Sequence, residues 1–291
     1  MGGRVRAIVW LSLALQIAIV GTGGAVRLTG SGLGCPTWPR CTPESFVVMP
    51  EQGIHGAIEF GNRLITFVLA GVALATILVL FRQRRERRDL FLLAIAVGAG
   101  IPAQAVLGGI TVLTGLNPWL VGAHFILSAM LVALATVLVF RACADSPHAA
   151  VSRTPRWYVL TSCLTALCVG ITIVMGVITT GAGPHAGDAA TPRNGLDPEL
   201  LAHLHSYPAY IAFALTAVLV MAAATLRLDR VNPFVRGLLA AEVVQVAVGI
   251  AQTRLGLPGL LVGTHMVLAC VLVTAMTAVV LSLRIETGES S

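Results

Sequence analysis

Two short stretches of the chain set a histidine in the same surroundings. Leu120-Val121-Gly122-Ala123-His124 recurs as Leu261-Val262-Gly263-Thr264-His265, and each opens a long apolar run. Two more histidines, His203 and His205, head another apolar run in Leu201-Ala202-His203-Leu204-His205-Ser206. Two imidazoles on facing helices of a four-helix bundle can hold a haem iron from both sides, with apolar walls around the porphyrin. His205 with His265 fits this directly, and His203 is the alternative to His205. A zinc or copper site wants a third or fourth ligand at close range, and only the spare histidine of the 203/205 pair is on offer. The plainer reading is two hydrogen-bonded core histidines, and the duplicated setting weighs against it.

The counterpart of the 203–206 stretch is His55-Gly56-Ala57-Ile58-Glu59-Phe60-Gly61-Asn62-Arg63. On a helix Glu59 and Asn62 share a face, with His55 one turn before Glu59. A carboxylate there is either the partner of Arg63 or a base and charge stabiliser in a desolvated setting. Asn62 is a poor axial ligand, so His55 is the better candidate partner for His124 if it lies within the helix. Cys35 and Cys41 sit in the glycine-rich stretch Gly30-Ser31-Gly32-Leu33-Gly34-Cys35 and just beyond it. Outside the cytoplasm a disulfide is permitted; a redox-active dithiol and free thiols are the other readings.

The elements that position these residues follow from composition. Of the 291 residues 56% are hydrophobic and 11% charged, with a mean hydropathy of +0.88. A water-facing exterior cannot be built from that, whereas runs of about 20 apolar residues match a hydrocarbon core of about 30 Å. The chain is read as an all-α integral membrane protein with eight spans, near 7–27, 57–81, 90–112, 118–140, 157–179, 200–226, 235–253 and 259–283. The first is taken as a retained helix rather than a signal peptide, because its apolar run is long and lacks a convincing cleavage pattern. An aromatic content of 5% and the absence of alternating ten-residue strands argue against a barrel.

The net charge of +6 comes from arginine alone, for there is no lysine. The arginines are grouped: 14 of the 19 lie in the N-terminus, 82–89, 141–156, 227–236 and at Arg284. Eight alternating spans bring all of these to one side. The positive-inside rule makes that side the cytoplasm, with both termini inside, and accounts for the charge without nucleic acid. The opposite side then carries the longer loops 28–55 and 180–199. The intramembrane ionisable residues are expected at one depth near that outer face, His124 and His265 being about 9 Å inside it.

The chain also repeats. At an offset of 141, Gln104, Gly108, Gly115 and His124 match Gln245, Gly249, Gly256 and His265; at 151, residues 26–32 match 177–183. Copies separated by an even number of spans share one orientation, as in parallel repeats. Two pseudo-symmetric four-helix bundles follow, 1–145 and 146–291. Cys143, Cys163, Cys168 and Cys270 read as small core residues, and His148 and His185 as solvated loop residues. Arg27, Arg63 and Arg254, near outer helix ends, are candidates for haem propionates or for plain interfacial snorkelling.

The stretch from Gly21-Thr22-Gly23-Gly24-Ala25-Val26-Arg27-Leu28-Thr29-Gly30-Ser31 through Cys35-Pro36-Thr37-Trp38-Pro39-Arg40-Cys41 resembles the first helix and first outer loop of haem A synthases. With the duplicated bundles and the histidines, the resemblance covers essentially the whole chain. It implies a plasma-membrane oxidoreductase that converts haem O to haem A by oxidising the C8 methyl to a formyl group through successive hydroxylation. By the same resemblance Glu59 is the catalytic residue and His124 belongs to the substrate haem site in the N-terminal bundle, where His55, Asn62 and Arg63 of the second span are the further candidates for binding the substrate haem. His205 and His265 are then the axial ligands of a haem b cofactor in the C-terminal bundle, and Cys35 and Cys41 a disulfide. The implied partners are haem O, a membrane enzyme supplying it, an unspecified electron acceptor and the lipid bilayer, with a homo-oligomer left open. The chain departs from the family where many members carry Glu-x-x-His-Arg, since Asn62 stands in place of the histidine. It also lacks a cysteine pair in 180–199. A di-haem electron-transfer protein of cytochrome b type is the chief rival, although it gives no role to Glu59 or the cysteine loop. A transporter with parallel repeats ranks lower, since it needs no paired histidines.

Overall fold

A computed structural model describes residues 1–143 and 154–283; Arg284 and His148 lie outside the described residues. Eight long helices run through it: α1 Gly3–Leu28, α2 Gly53–Phe81, α3 Arg88–Leu113, α4 Pro118–Cys143, α5 Arg156–Ala182, α6 Pro198–Thr225, α7 Asn232–Arg254 and α8 Gly259–Ser282. They hold 23 to 29 residues each, about 34–44 Å at 1.5 Å per residue. All eight are long and apolar enough to span a bilayer. The chain is a multi-pass membrane protein. The helix ends lie within four residues of the expected spans, α1, α3, α5 and α7 being longer at both ends.

Helix contacts form two closed rings. α1 meets α2 and α4, and α3 closes the ring between α2 and α4; α5, α6, α7 and α8 repeat the pattern. Across the rings α4 packs on α8, α1 on α8, and α4 on α5. Exchanging each helix with its repeat mate maps this set of contacts onto itself. Without a hydrophobic drive between helices in lipid, such contacts depend on close approach of small residues. Gly122 of α4 lies against Val177 of α5, and its repeat mate Gly263 of α8 lies against Leu28 of α1. Leu80, Leu90, Val132 and Leu138 fill the first ring, and Tyr158, Leu219, Leu238 and Val279 the second. The Tyr158 hydroxyl is satisfied by donating to Leu219 O at 3.2 Å. Outward-facing Phe67, Leu160 and Leu260 are left for lipid.

The turns before α4 and α8 share one unusual backbone. Gly115 and Leu116 have φ of 62° and 59°, and Gly256 and Leu257 have 77° and 60°. A leucine in the left-handed region is strained by its Cβ. Here a hydrogen bond holds it, from Leu116 N to Thr111 O at 2.8 Å and from Leu257 N to Gln252 O at 2.7 Å. Each turn launches its following helix with the histidine six residues in. At this end of the molecule, hereafter the loop end, lie also residues 29–49 and 183–197. Arg27 donates to His185 O (2.6 Å) and Thr180 O (3.0 Å), Gly32 N donates to Gly187 O (2.8 Å), and His185 Nε2 donates to Leu257 O (2.8 Å). His185 is therefore not a solvated loop residue but a strut between the second long loop and the turn before α8. Arg27 is likewise committed to that loop. Cys168 and Cys270 are buried as expected, whereas Cys163 is exposed on the outside of α5.

Candidate haem sites

In the second ring the imidazoles of His205 (α6) and His265 (α8) face each other, with ring centroids 6.2 Å apart and planes at 69°. His205 Nδ1 lies 2.9 Å from Thr172 O. A carbonyl only accepts, so Nδ1 carries the proton and Nε2 keeps its lone pair. Thr172 thus fixes the tautomer that a ligand needs, as the outer partner of a metal-bound histidine usually does. His265 Nδ1 is buried without a partner. Both rings lean on glycines: a Cβ at Gly176 of α5 would stand 2.8 Å from His205 Cε1, and one at Gly249 of α7 would stand 3.2 Å from His265 Cε1. A side chain at Gly176 would push the His205 ring from its place, and one at Gly249 would crowd His265.

This pair fits a haem iron. With nitrogen–metal bonds of about 2 Å and each ring centre roughly 1 Å behind its nitrogen, two axial imidazoles hold their centroids roughly 6 Å apart. Among the described residues no three His, Cys, Asp or Glu side chains converge as a metal-binding group. His203, the alternative to His205, is in no ring contact with His265.

The first ring repeats half of this arrangement. His124 rests against Gly108 of α3, where a Cβ would come within 3.2 Å of its Cε1, and its Nδ1 is also buried without a partner. Gln104 of α3 donates to His124 O at 3.1 Å, and its mate Gln245 of α7 donates to His265 O at 3.2 Å. The two glutamines pin the backbone under the two histidines. Gln104 alone has a second partner, the Ser128 hydroxyl.

Across from His124 the symmetry breaks. Asn62 of α2 accepts from Thr22 of α1 at 2.7 Å. His205 meets α5 at Thr172 and Gly176, whose repeat mates on α1 are Gly21 and Ala25. Asn62 therefore meets α1 within the segment that corresponds to the one His205 meets on α5. His55, two residues into α2, is exposed, and its Nδ1 is 2.9 Å from Ser31 Oγ. No ring contact joins it to His124.

Glu59, one turn before Asn62 and six residues into α2, is 5% exposed. It accepts from Cys35 N–H at 2.6 Å and from Arg63 at 2.6 Å. Arg63 also donates to the carbonyls of Cys35, Thr37 and Arg40, each at 3.1 Å. The Cys35–Cys41 disulfide closes the same loop. Carboxylate, guanidinium and disulfide thus form one latch between α2 and the loop over its end. Arg63 is spent on this latch, while Arg254 is exposed in the last turn of α7.

Residues 6–277 match the profile of the COX15-CtaA family, described as cytochrome oxidase assembly proteins. This chain belongs to that family. Among curated relatives, the heme A synthase of Methylobacterium radiotolerans is 24% identical over 328 residues, covering 94% of this chain and 89% of that protein. The heme A synthase of Alkalihalophilus pseudofirmus is 28% identical over 51% of this chain and 52% of its own length. That of Bacillus cereus is 34% identical over 46% and 45%.

One buried acid lies away from the depth expected of the ionisable residues. Glu242, in the middle of α7, is 5% exposed and accepts from Thr216 of α6 at 3.0 Å, with its other oxygen unpaired. An acid inside the run Leu238-Leu239-Ala240-Ala241-Glu242-Val243-Val244 is visible in the sequence, and intramembrane acids are usually functional. Its repeat mate is Ile101.

Proposed function

We propose that this chain is a haem A synthase: it oxidises the C8 methyl of haem O to a formyl group by successive hydroxylation, the gem-diol losing water. The observation that carries the proposal is the asymmetry of the two rings. One holds a matched pair, His205 and His265, 6.2 Å apart; in the other, among the described residues, no histidine is in ring contact with His124, and α2 carries instead Asn62, bonded to Thr22 of α1, and the buried carboxylate of Glu59. A doubly ligated iron suits a resident haem b, bound in 146–291. A site with one strong ligand suits a haem that arrives, reacts and leaves, and this is assigned to 1–145.

When bound, haem b supplies one-electron redox chemistry between the substrate and an outside acceptor. The residues of the chain do the rest. Thr172 orients His205, Gln104 and Gln245 fix the backbone under His124 and His265, and His124 takes the substrate iron on one side. Asn62 stands opposite with too weak a donor to hold it permanently. Glu59, held by Cys35 N–H and Arg63, receives protons released near the reacting methyl. His55 lies at the rim of this site and anchors the loop through Ser31. The arginine distribution supports a loop end outside a plasma membrane, with both termini in the cytoplasm. Haem O then reaches the N-terminal ring from the bilayer or from the membrane enzyme that makes it.

The test is product analysis. Membranes containing this chain and a source of haem O are extracted, and the haems are separated and weighed by mass spectrometry. Haem A is expected. Membranes that bind two haems and yield only haem O would make the chain a di-haem electron-transfer protein instead.

A further inference from the structure

The loop latched to α2 carries one large side chain across the ring. Trp38 lies between Thr37 and Arg40, whose carbonyls Arg63 of α2 holds at 3.1 Å. Its indole reaches α3, where a Cβ at Gly109 would come within 2.3 to 2.7 Å of its ring carbons. The indole is therefore seated flat on the bare backbone of Gly109. The preceding residue, Gly108, is the one on which His124 rests, 3.2 Å from its would-be Cβ. Successive residues on a helix differ by 1.5 Å in height and about 100° in direction. Imidazole and indole thus flank one turn of α3 from adjacent sides.

The second ring has no such arrangement. The mate of Gly108 is Gly249, which keeps the histidine cradle, but the mate of Gly109 is Ile250. No tryptophan occurs in residues 183–197. Among the described residues a glycine seat for an indole is present only in the first ring, where no histidine is in ring contact with His124.

We propose that Trp38 is the closing wall of the substrate site: braced on α2 through Arg63 and seated on Gly109 of α3, it covers the loop end of the first ring and packs on the porphyrin bound at His124. The proposal rests on the assignment of that ring to haem O. A wall on a latched loop gives the site what a single axial ligand does not, a slow exit for a bound substrate. It also excludes water from the reacting edge. Being borne on a loop rather than a helix, it swings aside without disturbing the histidines.

The experiment measures haem dissociation from purified, haem O-loaded protein into excess apomyoglobin, followed by absorbance. Wild-type protein is expected to show two phases. The faster is abolished by His124→Ala, and the slower belongs to the His205–His265 pair. Trp38→Ala speeds the faster phase about tenfold, the loss of one well-packed aromatic contact. Gly109→Ile, which copies the second ring and unseats the indole, does the same, and Trp38→Phe stays within about threefold of wild type. The slower phase is unchanged in all three, which also shows that they fold. A faster phase within about twofold of wild type in Trp38→Ala overturns the wall. So does equal acceleration of both phases, which marks general loosening. If no phase depends on His124, the substrate site itself is absent, and that distinct outcome removes the reading on which the wall depends.

Discussion

Glu59 accepts two hydrogen bonds, from Cys35 N–H and from Arg63, so a substitution there tests both chemistry and the latch. Glu59→Gln keeps the bond from Cys35 N–H through its amide oxygen and removes the proton-accepting carboxylate together with its pairing to Arg63, which still holds the loop through the carbonyls of Cys35, Thr37 and Arg40. Turnover is expected to fall about 100-fold or more, with the haem b spectrum unchanged. Haem A formed per haem b measures this, and wild-type turnover would confine Glu59 to holding the loop. His55 is placed to give the opposite result. With its ring on Ser31, His55→Ala retains the His124-dependent haem in a reduced-minus-oxidised spectrum; loss of that haem would put His55 on the iron. These residues were legible as a set because a histidine, an acid or a cysteine inside an apolar chain is conspicuous by type. Their partners were not. Nothing in residue type says that Arg63 would spend its donors on the loop carbonyls, or that His185 would bond to Leu257 O rather than to water. Glu242 is visible by type in the sequence, but its position in the middle of α7, bonded to Thr216 of α6, is set by packing.

Helices carry a different part of the information. Eight spans were readable from apolar length, and the repeat from the offset of the Gln-Gly-Gly-His positions. What apolar length does not carry is the direction in which each helix faces. Gly108, Gly176 and Gly249 read as ordinary glycines in membrane helices, and only packing shows that each makes room for an imidazole. The consequence is testable on one helix. Gly176→Ala puts a methyl 2.8 Å from His205 Cε1, whereas Gly170→Ala on the same helix meets nothing within 4 Å. Haem b content of the purified protein should fall severalfold in the first and be unaffected in the second. Equal content in both would mean that α5 yields easily, and that the close contact does not set the ring. Asn62 shows the limit in another way: the sequence shows an asparagine on the second span, and only the fold shows that it is bonded to Thr22 of α1.

At the scale of the molecule, orientation and assembly are open to direct test. Cysteine labelling is expected to find 82–87 and 226–231 accessible from the cytoplasm and 36–49 from outside. The reverse pattern would turn the histidine ends of both rings toward the cytoplasm. The two rings meet through contacts that exchange with one another under the repeat: α4 on α5 with α8 on α1, and α4 on α8 at the centre. Gly122 and Gly263 stand at matching crossings. An interface that maps onto itself is the signature of a two-fold dimer. The chain, cut within 144–153 and co-expressed as two pieces, should therefore reassemble and retain haem b; pieces that fail to copurify would show that the link is needed. The consequence is one of inheritance. In a dimer of identical halves, every mutation strikes both histidine pockets at once, and a change that loosens one loosens the other. Joined in a single reading frame, the two pockets mutate independently, so one can keep two histidines while the other exchanges one for asparagine.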